Sequence, residues 1–370
     1  MSDDRTAGRP PVGALPIGTV LGSGDPALLR APRFNRHTFW CGQSGSGKTY
    51  ALGVLLEQLL LHTRLPIVVL DPNSDFVRLD TVRGDAPADE ATQLRERDIR
   101  VLRPVPGHKD RLRVRFLDMD IRSRAAILQL DPIRDAEEFN VMLRAGAQNL
   151  TSLDRPLTDW LRDQGDPQFA RIATRIENLG ILDWDMWAWG QPDVTDVVNE
   201  RADTTVIDLG NFGSAAQTQT TALAVLDQLW AQRHERIGRL VVIDEAHNLC
   251  SPDAATPLER LLTERIIQIA AEGRKYGMWL LLSTQRPSKL HPNVISQCDN
   301  LALMKMSSAR DLAELGQVFG FAPQHLLDRS PGFAQGQALF AGGFATDPQL
   351  VQMGARLTEE GGSDVPIDLR

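Results

Sequence analysis

The segment Gly42-Gln43-Ser44-Gly45-Ser46-Gly47-Lys48-Thr49 matches the pattern G-x-x-x-x-G-K-T without a mismatch. Glycines at these positions let successive backbone N–H groups turn inward around phosphates. The helix predicted from Lys48 points its positive end at the same place. In this pattern the lysine contacts the β- and γ-phosphates and the threonine hydroxyl is a ligand of Mg²⁺. The segment therefore predicts a P-loop, with residues 42–49 in contact with ATP and Thr49 in contact with the metal.

The sequence around this segment alternates between strand and helix patterns. Residues 37–42 predict a short strand, leucines at three- and four-residue spacing after Lys48 predict a helix, and the apolar run 66–70 predicts a buried parallel strand. After residue 200 the alternation resumes, with strands predicted at 204–209, 240–243, 279–283 and 300–306. We therefore predict a RecA-like α/β fold, a doubly wound and mostly parallel sheet with helices on both faces. This context also disfavours a chance match of the P-loop pattern.

The remaining segments suggest how the chain is divided. Short apolar stretches in residues 14–36 suggest a hairpin or loop, residues 99–102 and 112–116 are β-like, and residues 120–200 show a helical pattern throughout. The predicted division is a disordered N-terminus at 1–13, the first part of the ATPase core at 14–118, an inserted all-α subdomain at 119–200, the second part of the core at 201–350, and a C-terminal tail at 351–370.

Composition limits the class of protein. The net charge of -8 and the pI of about 5.5 exclude a generally basic nucleic-acid binder, although not a local basic surface. The three cysteines are far apart and form no CxxC pair, which indicates a reduced, intracellular protein without structural zinc. Neither a signal peptide nor an apolar run of about 20 residues occurs. We therefore expect a cytoplasmic protein without a membrane partner.

Two acids follow the apolar run 240–243. Ligand sites of such sheets lie at the carboxyl ends of the strands. There Asp244 can hold Mg²⁺ through a water, and Glu245 can polarise the water that attacks the γ-phosphate. The alternative is that both acids cap the next helix, and the P-loop favours the catalytic interpretation over this one.

Further polar residues are candidates at the same edge. Gln285 ends an apolar run and can sense the γ-phosphate or orient water, or be a strand-end residue without a role. Arg274 and Arg286 can stabilise transition-state charge in their own site or a neighbour's, or form surface salt bridges. Asp71 can be an outer ligand of the metal or the start of a turn. His247 can link the γ-phosphate site to neighbouring elements or be a structural histidine.

A basic cluster occupies residues 95–115, where eight basic residues stand against three acids. Facing a pore, it could follow a DNA backbone. The alternation of arginines with Leu112, Val114 and Phe116 is also typical of a strand with one solvent-exposed face. This structural interpretation is favoured over a DNA-binding role.

Several segments, in the right order, resemble the HerA/FtsK superfamily, and the HerA-type DNA translocases in particular. The stretch 242–249 is similar to the Walker B segment of that family. The most distinctive match is the pair Glu272-Gly273-Arg274-Lys275-Tyr276-Gly277 and Ser283-Thr284-Gln285-Arg286-Pro287-Ser288. The resemblance covers roughly residues 16–358.

This resemblance implies a ring, usually a hexamer, that uses ATP to move duplex DNA through its centre, with active sites at subunit interfaces. It also implies an N-terminal β-barrel that supports the ring and docks nuclease partners. Only about 36 residues precede the P-loop strand, so the barrel is expected to be absent or reduced. The resemblance places a basic finger near Lys305, which leaves Arg274, Arg286 and Lys305 as alternatives for the residue that acts across the interface.

The leading functional hypothesis is therefore an ATP-hydrolysing ring motor for duplex DNA, working with a nuclease or other effector in DNA processing or defence. The alternative is a regulatory or assembly ATPase that gates a partner enzyme without moving along DNA. A kinase is less favoured because Asp244, Glu245 and Gln285 suit the activation of water. A GTPase is disfavoured because no Asn-Lys-x-Asp motif occurs.

Overall fold

The computed structural model describes residues 11–146, 157–188 and 190–362. The predicted disorder of residues 1–13 falls mostly outside these ranges, and so does the end of the predicted C-terminal tail. The strands are β1 Ala14–Val20, β2 Pro26–Arg30, β3 His37–Cys41, β4 Ile67–Asp71, β5 Ile99–Leu102, β6 Thr204–Asp208, β7 Arg239–Ile243, β8 Met278–Thr284, β9 Cys298–Leu303, β10 Gln337–Gly342 and β11 Gln349–Met353. The α-helices are α1 Lys48–His62, α2 Ala88–Arg95, α3 Ile121–Ile127, α4 Ala136–Gly146, α5 Leu157–Arg162, α6 Pro167–Asn178, α7 Val194–Asn199, α8 Ala215–Ala231, α9 Pro257–Glu272, α10 Pro292–Ile295, α11 Ala309–Val318 and α12 Gln324–Leu327.

Across the described residues, eleven strands form one sheet in the order β2-β1-β11-β10-β9-β3-β8-β7-β4-β6-β5. All neighbours from β9 to β5 are parallel, while β10, β11, β1 and β2 continue the sheet with antiparallel pairings. The prediction of a mostly parallel α/β sheet is confirmed. In the described ranges, no helix has the length and apolar character needed to cross a membrane.

Both faces of the sheet are buried, which explains why its central strands are continuous apolar runs. In β7, Val241 and Ile243 join a core on one face, and Leu240 and Val242 join a second core on the other. The first core contains residues of α3 to α9, and the second contains four of the leucines of α1, at positions 52, 55, 56 and 59. The helices predicted between residues 120 and 200 thus pack their apolar side chains into the same core as α8 and α9.

Parallel register aligns the carboxyl ends of the central strands. Leu70 pairs with Ile243, and Ile243 pairs with Leu282. Asp244, directly after β7, and Ser283, the next residue of β8, therefore reach one edge of the sheet at the same level. The P-loop leaves β3 at this edge, because Cys41 is paired with Thr284 of β8.

Residues 14–36, for which a hairpin or a loop was predicted, contain the hairpin of β1 and β2, which extends the main sheet at its antiparallel end. The prediction of a β-like piece at residues 112–116 is wrong. Arg111 and Val114 make isolated bridges, and a 3₁₀ turn, Phe116–Asp118, follows. The partner of Val114 is Trp187, which lies in a loop, so the pairing stops after one bridge.

The predicted boundary at residue 351 is also corrected, because β11 spans it and pairs with both β1 and β10. The chain then crosses α1 as a segment that we call the C-terminal strap, residues 354–362. The buried carboxylate of Glu57 in α1 accepts hydrogen bonds from the amides of Leu357 and Thr358, both at 2.8 Å. The guanidinium of Arg356 lies 3.6 Å from the same carboxylate and is also buried.

We predict that Glu57→Ala destabilises the fold by about 3–5 kcal/mol, because it leaves two buried amides without their acceptor and the buried Arg356 cation without its carboxylate partner. Urea unfolding of both proteins measures the difference. Glu314→Ala is the control, since the Glu314 carboxylate pairs with Arg310 in water and should contribute little. Equal losses in the two variants would contradict the role assigned to Glu57.

Candidate nucleotide-binding site

The P-loop is a tight turn between β3 and α1. Gly45 and Gly47 have φ angles of +77° and +84°, which L side chains rarely adopt. The loop is fixed from two sides: the Gln43 amide donates to the Lys305 carbonyl at 2.8 Å, and the Gly336 amide donates to the Ser46 carbonyl at 2.9 Å. These contacts hold the backbone of the loop in the curved form that phosphate binding requires.

Lys48 lies in a buried ion cluster. Its ammonium is 2.8 Å from an oxygen of Asp244 and 3.0 Å from an oxygen of Glu245, and it donates to the Ser283 hydroxyl at 2.8 Å. Burial alone would lower the pKa of Lys48, but the two carboxylates outweigh it and raise the pKa. The cluster therefore joins the P-loop to the ends of β7 and β8 through charged groups.

Glu245 is held in a strained and well-defined position. Its φ of +40° and ψ of +48° are left-handed, which is uncommon outside glycine. One carboxylate oxygen accepts from the Gln285 amide at 3.2 Å and lies 3.2 Å from Nδ1 of His247. Burial would raise the pKa of Glu245, but His247 and Lys48 outweigh it and lower the pKa to about 2. His247 thus positions an ionised Glu245.

Three acids converge beside Lys48. Asp71, Asp75 and Asp244 each offer an oxygen within 4.8 Å of the others, and Thr49 donates to Asp75 at 3.3 Å. Burial raises the pKa of Asp71 to about 7 and that of Asp75 to about 6, and the charge of Asp244 adds to both effects. The second oxygen of Asp244 is buried and has no hydrogen-bond partner among the described residues. These hard oxygen donors fit a divalent cation such as Mg²⁺.

The sequence left open whether Asp71 is an outer ligand of the metal or the start of a turn. Its carboxylate accepts from the amides of Asp75 at 3.0 Å and Phe76 at 2.8 Å, so it does begin a turn. That turn also carries Asp75 to the site.

A cleft of about 770 Å³ runs along the P-loop. The predicted residues Lys48, Thr49, Glu245 and Gln285 line it, together with most of the P-loop, and Asp244 is buried behind Lys48. The structure therefore brings together the P-loop, both acids and Gln285.

Arg274 does not join this cleft in its own chain. It lies in a 3₁₀ turn, Gly273–Tyr276, that precedes β8, whereas the cleft lies at the other end of that strand. Seven residues of strand separate the two by roughly 20 Å. Arg274 instead pairs with Asp299 at 2.7 Å. Arg286 is exposed next to Gln285, and Lys305 contributes its backbone carbonyl to the P-loop.

Sequence reasoning missed several residues of the cleft. Ser283 belongs to the matched segment 283–288, but as one polar residue near the end of an apolar strand it was assigned no role. Asp75 lies in the turn that Asp71 begins, and no role in the site was predicted for it. Tyr50 follows Thr49 on α1 but is outside the P-loop pattern, and the C-terminal strap carries no nucleotide-binding pattern.

Six of the eight basic residues in the cluster 95–115 pair with carboxylates of the same chain. Arg103 pairs with Asp208 at 2.9 Å, and Arg111 pairs with Asp185 at 2.5 Å. Arg97, Arg100, Lys109 and Arg115 also have carboxylate partners. The local excess of positive charge seen in the sequence is therefore largely compensated by acids from other segments.

Comparisons with known proteins agree with this geometry. Residues 15–174 match the family model described as "Helicase HerA, central domain". The DNA double-strand break repair helicase HerA of Sulfurisphaera tokodaii is 23% identical over 95% of this chain and 71% of that protein. VirB4 of Thermoanaerobacter pseudethanolicus superposes with a TM-score of 0.60 at 14% identity, over 94% of this chain and 98% of that chain. The bacterial conjugative coupling protein TrwB superposes with a TM-score of 0.56 at 12% identity, over 95% and 91%.

The P-loop, the paired acids at the end of β7 and the sheet define a P-loop ATPase, an enzyme that hydrolyses ATP. Within that class the core is HerA-like, and the predicted resemblance to the HerA/FtsK superfamily is confirmed. The RecA-like fold class is confirmed by the same structural likeness.

We predict that Gly47→Ala destabilises the protein more than Gly45→Ala does. Both positions are left-handed, so alanine costs about 1–2 kcal/mol at each. A Cβ on Gly47 would also lie 3.2 Å from the Gly336 amide, whereas a Cβ on Gly45 meets no atom of the described residues within 4 Å. Chemical denaturation measures both losses, and equal values would show that the contact with Gly336 tolerates the methyl group.

Proposed function

We propose that this chain is an ATP-driven motor that translocates duplex DNA, assembled as a homo-oligomeric ring. The observation that carries the proposal is Glu245, ionised and fixed beside Gln285 at the γ-phosphate end of the P-loop cleft. That arrangement suits repeated hydrolysis of ATP. The likeness to a protein named a DNA repair helicase, over most of both chains, supports duplex DNA as the track.

The hydrolytic step uses the residues of the cleft. A water oxygen attacks the γ-phosphorus while the bond to the β–γ bridging oxygen breaks, and the leaving ADP takes that electron pair. Glu245 accepts the proton of the water, and Gln285 orients the water. Lys48 turns from the acids to the β- and γ-phosphates, where its charge offsets the charge that develops.

We propose that Mg²⁺ binds beside the P-loop, held by the Thr49 hydroxyl and by Asp244, directly or through water, with Asp75 next to them. The unpartnered buried oxygen of Asp244 and the convergence of acids support this site. Charge neutralisation on the β- and γ-phosphates is the chemistry that the ion supplies when bound there.

Arg274 enters the proposal only as a residue of the neighbouring subunit. It is more than one-third exposed, at the edge of the sheet opposite its own cleft. A ring in which this edge faces the next subunit's cleft, such as a hexamer, would let Arg274 stabilise transition-state charge there. Arg286 and Lys305 are the alternatives. A nuclease or other effector as a partner is proposed on the HerA likeness alone.

The second candidate function is an ATPase that gates a partner enzyme without moving along DNA. The compensated charge of residues 95–115 and the net charge of -8 favour it, because a DNA track needs unpaired cations.

The rate of ATP hydrolysis with and without duplex DNA tests the motor. We predict that duplex DNA raises the rate several-fold at low salt and that added salt removes the stimulation, because phosphate contacts release counterions. Equal rates of ATP hydrolysis with and without DNA at every salt concentration would reject the motor and favour the gating ATPase.

We predict that Glu245→Gln binds ATP about as tightly as the wild type but hydrolyses it at least about a hundredfold more slowly, since an amide cannot accept the proton of the water. Lys48→Ala should instead lose ATP binding. Steady-state kinetics and calorimetric titration separate the two defects. Glu264→Gln, the same chemical change at an exposed site on α9, is the matched control. Wild-type turnover in Glu245→Gln would remove Glu245 from the catalytic role.

A further inference from the structure

One end of the cleft is built by residues that the proposed mechanism does not use. Tyr50, the turn at 335–336 and the start of the C-terminal strap line that end. Glu245 and Gln285 fix the position of the γ-phosphate at the other end. The P-loop fixes the β-phosphate between the two. The base and ribose of a nucleotide must therefore extend toward Tyr50 and the strap.

The strap is held firmly on both sides of this wall. Before it, the Gly354 amide donates to the Ile17 carbonyl at 2.9 Å. After it, the Arg356 amide donates to the Tyr50 hydroxyl at 2.7 Å, and the next two amides bind Glu57. Farther along, the Gly361 amide donates to the Asp75 carbonyl at 3.0 Å. Because Tyr50 and Glu57 both lie on α1, the strap is tied to the helix that begins at the P-loop.

Ala355 differs from its neighbours in the strap. It is exposed toward the cleft, and its side chain is only a methyl group. Within the part of the chain that the structure describes, its amide and the carbonyls of Gly354 and Ala355 have no protein partner. One free donor and two free acceptors on a rigid wall can recognise the polar edge of a purine, and Tyr50 and Met353 supply apolar surface beside them.

We propose that Tyr50 and residues 353–355 form the subsite for the base of the nucleotide, with the Ala355 peptide recognising the edge of the purine. Glu57 is a positioning residue, because it acts through the strap. The inference rests on the proposed function in that ATP is the ligand. It is separable from that function, because the phosphates bind at the other end of the cleft.

Calorimetric titration of the full chain with ATP and with inorganic tripolyphosphate, both with Mg²⁺, tests the subsite. Ala355→Gln puts a long uncharged side chain on the wall. We expect it to weaken ATP binding by about tenfold and to leave tripolyphosphate binding within about twofold of the wild type. Since Ala355 is exposed, the variant should fold like the wild type.

Tyr50→Phe is an independent variant that keeps the ring but removes the acceptor of the Arg356 amide. It should loosen the strap and give the same selective loss of ATP binding. The matched control is Glu359→Gln, on the same strap but outside the cleft, whose carboxylate pairs with Arg78. It should leave both ligands unaffected.

The outcomes discriminate between the claims. Unchanged or tighter ATP binding by Ala355→Gln, or equal losses for ATP and tripolyphosphate, would overturn the base subsite. Tripolyphosphate binding to the wild type as tightly as ATP would also overturn it, and would leave the phosphate site standing. A wild-type chain that binds neither ligand would overturn the ATPase mechanism itself.

Discussion

The ammonium of Lys48 contacts Asp244 and Glu245 in a region almost closed to water, and the rest of the site depends on this cluster. Buried charges are costly unless they are paired, so both acids must arrive within about 3 Å of one cation. Strand β8 lies between the strands that supply the lysine and the acids. A shift of β7 by one residue against β8 would turn Asp244 to the other face of the sheet. The ion cluster at the P-loop therefore forms only when the central strands pair in this register.

That coupling explains how much of the site the sequence could predict. The phosphate loop needs glycine at positions with positive φ, and both faces of the central strands are buried, so the loop and the strands leave strong patterns. The positions of Asp244 and Glu245 could be predicted because they come directly after the apolar run of β7. The prediction of a β-like piece at residues 112–116 was wrong because alternation of apolar and charged residues does not show whether a partner strand exists. Here the partner is a loop near Trp187.

The two ends of β8 show a second limit of sequence reasoning. Arg274 and Gln285 lie close in the sequence and within the same matched segments, which suggests one site. A strand separates them by roughly 20 Å, so they occupy opposite edges of the sheet. A motif gives the order of residues but not the edge that each one reaches. Only a neighbouring copy can bring the edge with Arg274 to a P-loop cleft, which is why its exposure agrees with the ring proposed from the likeness to HerA.

The strap was invisible in the sequence for a different physical reason. Glu57 holds it through the backbone amides of Leu357 and Thr358, 300 residues away, and almost any residue supplies such an amide. The phosphate end of the cleft, by contrast, requires particular side chains and particular glycines. Recognition through backbone leaves the sequence free to change, whereas recognition through side chains does not. The phosphate end can therefore be predicted from the eight residues of the P-loop. The opposite wall could be identified only from the fold, which brings Glu57 of α1 to the amides of the strap.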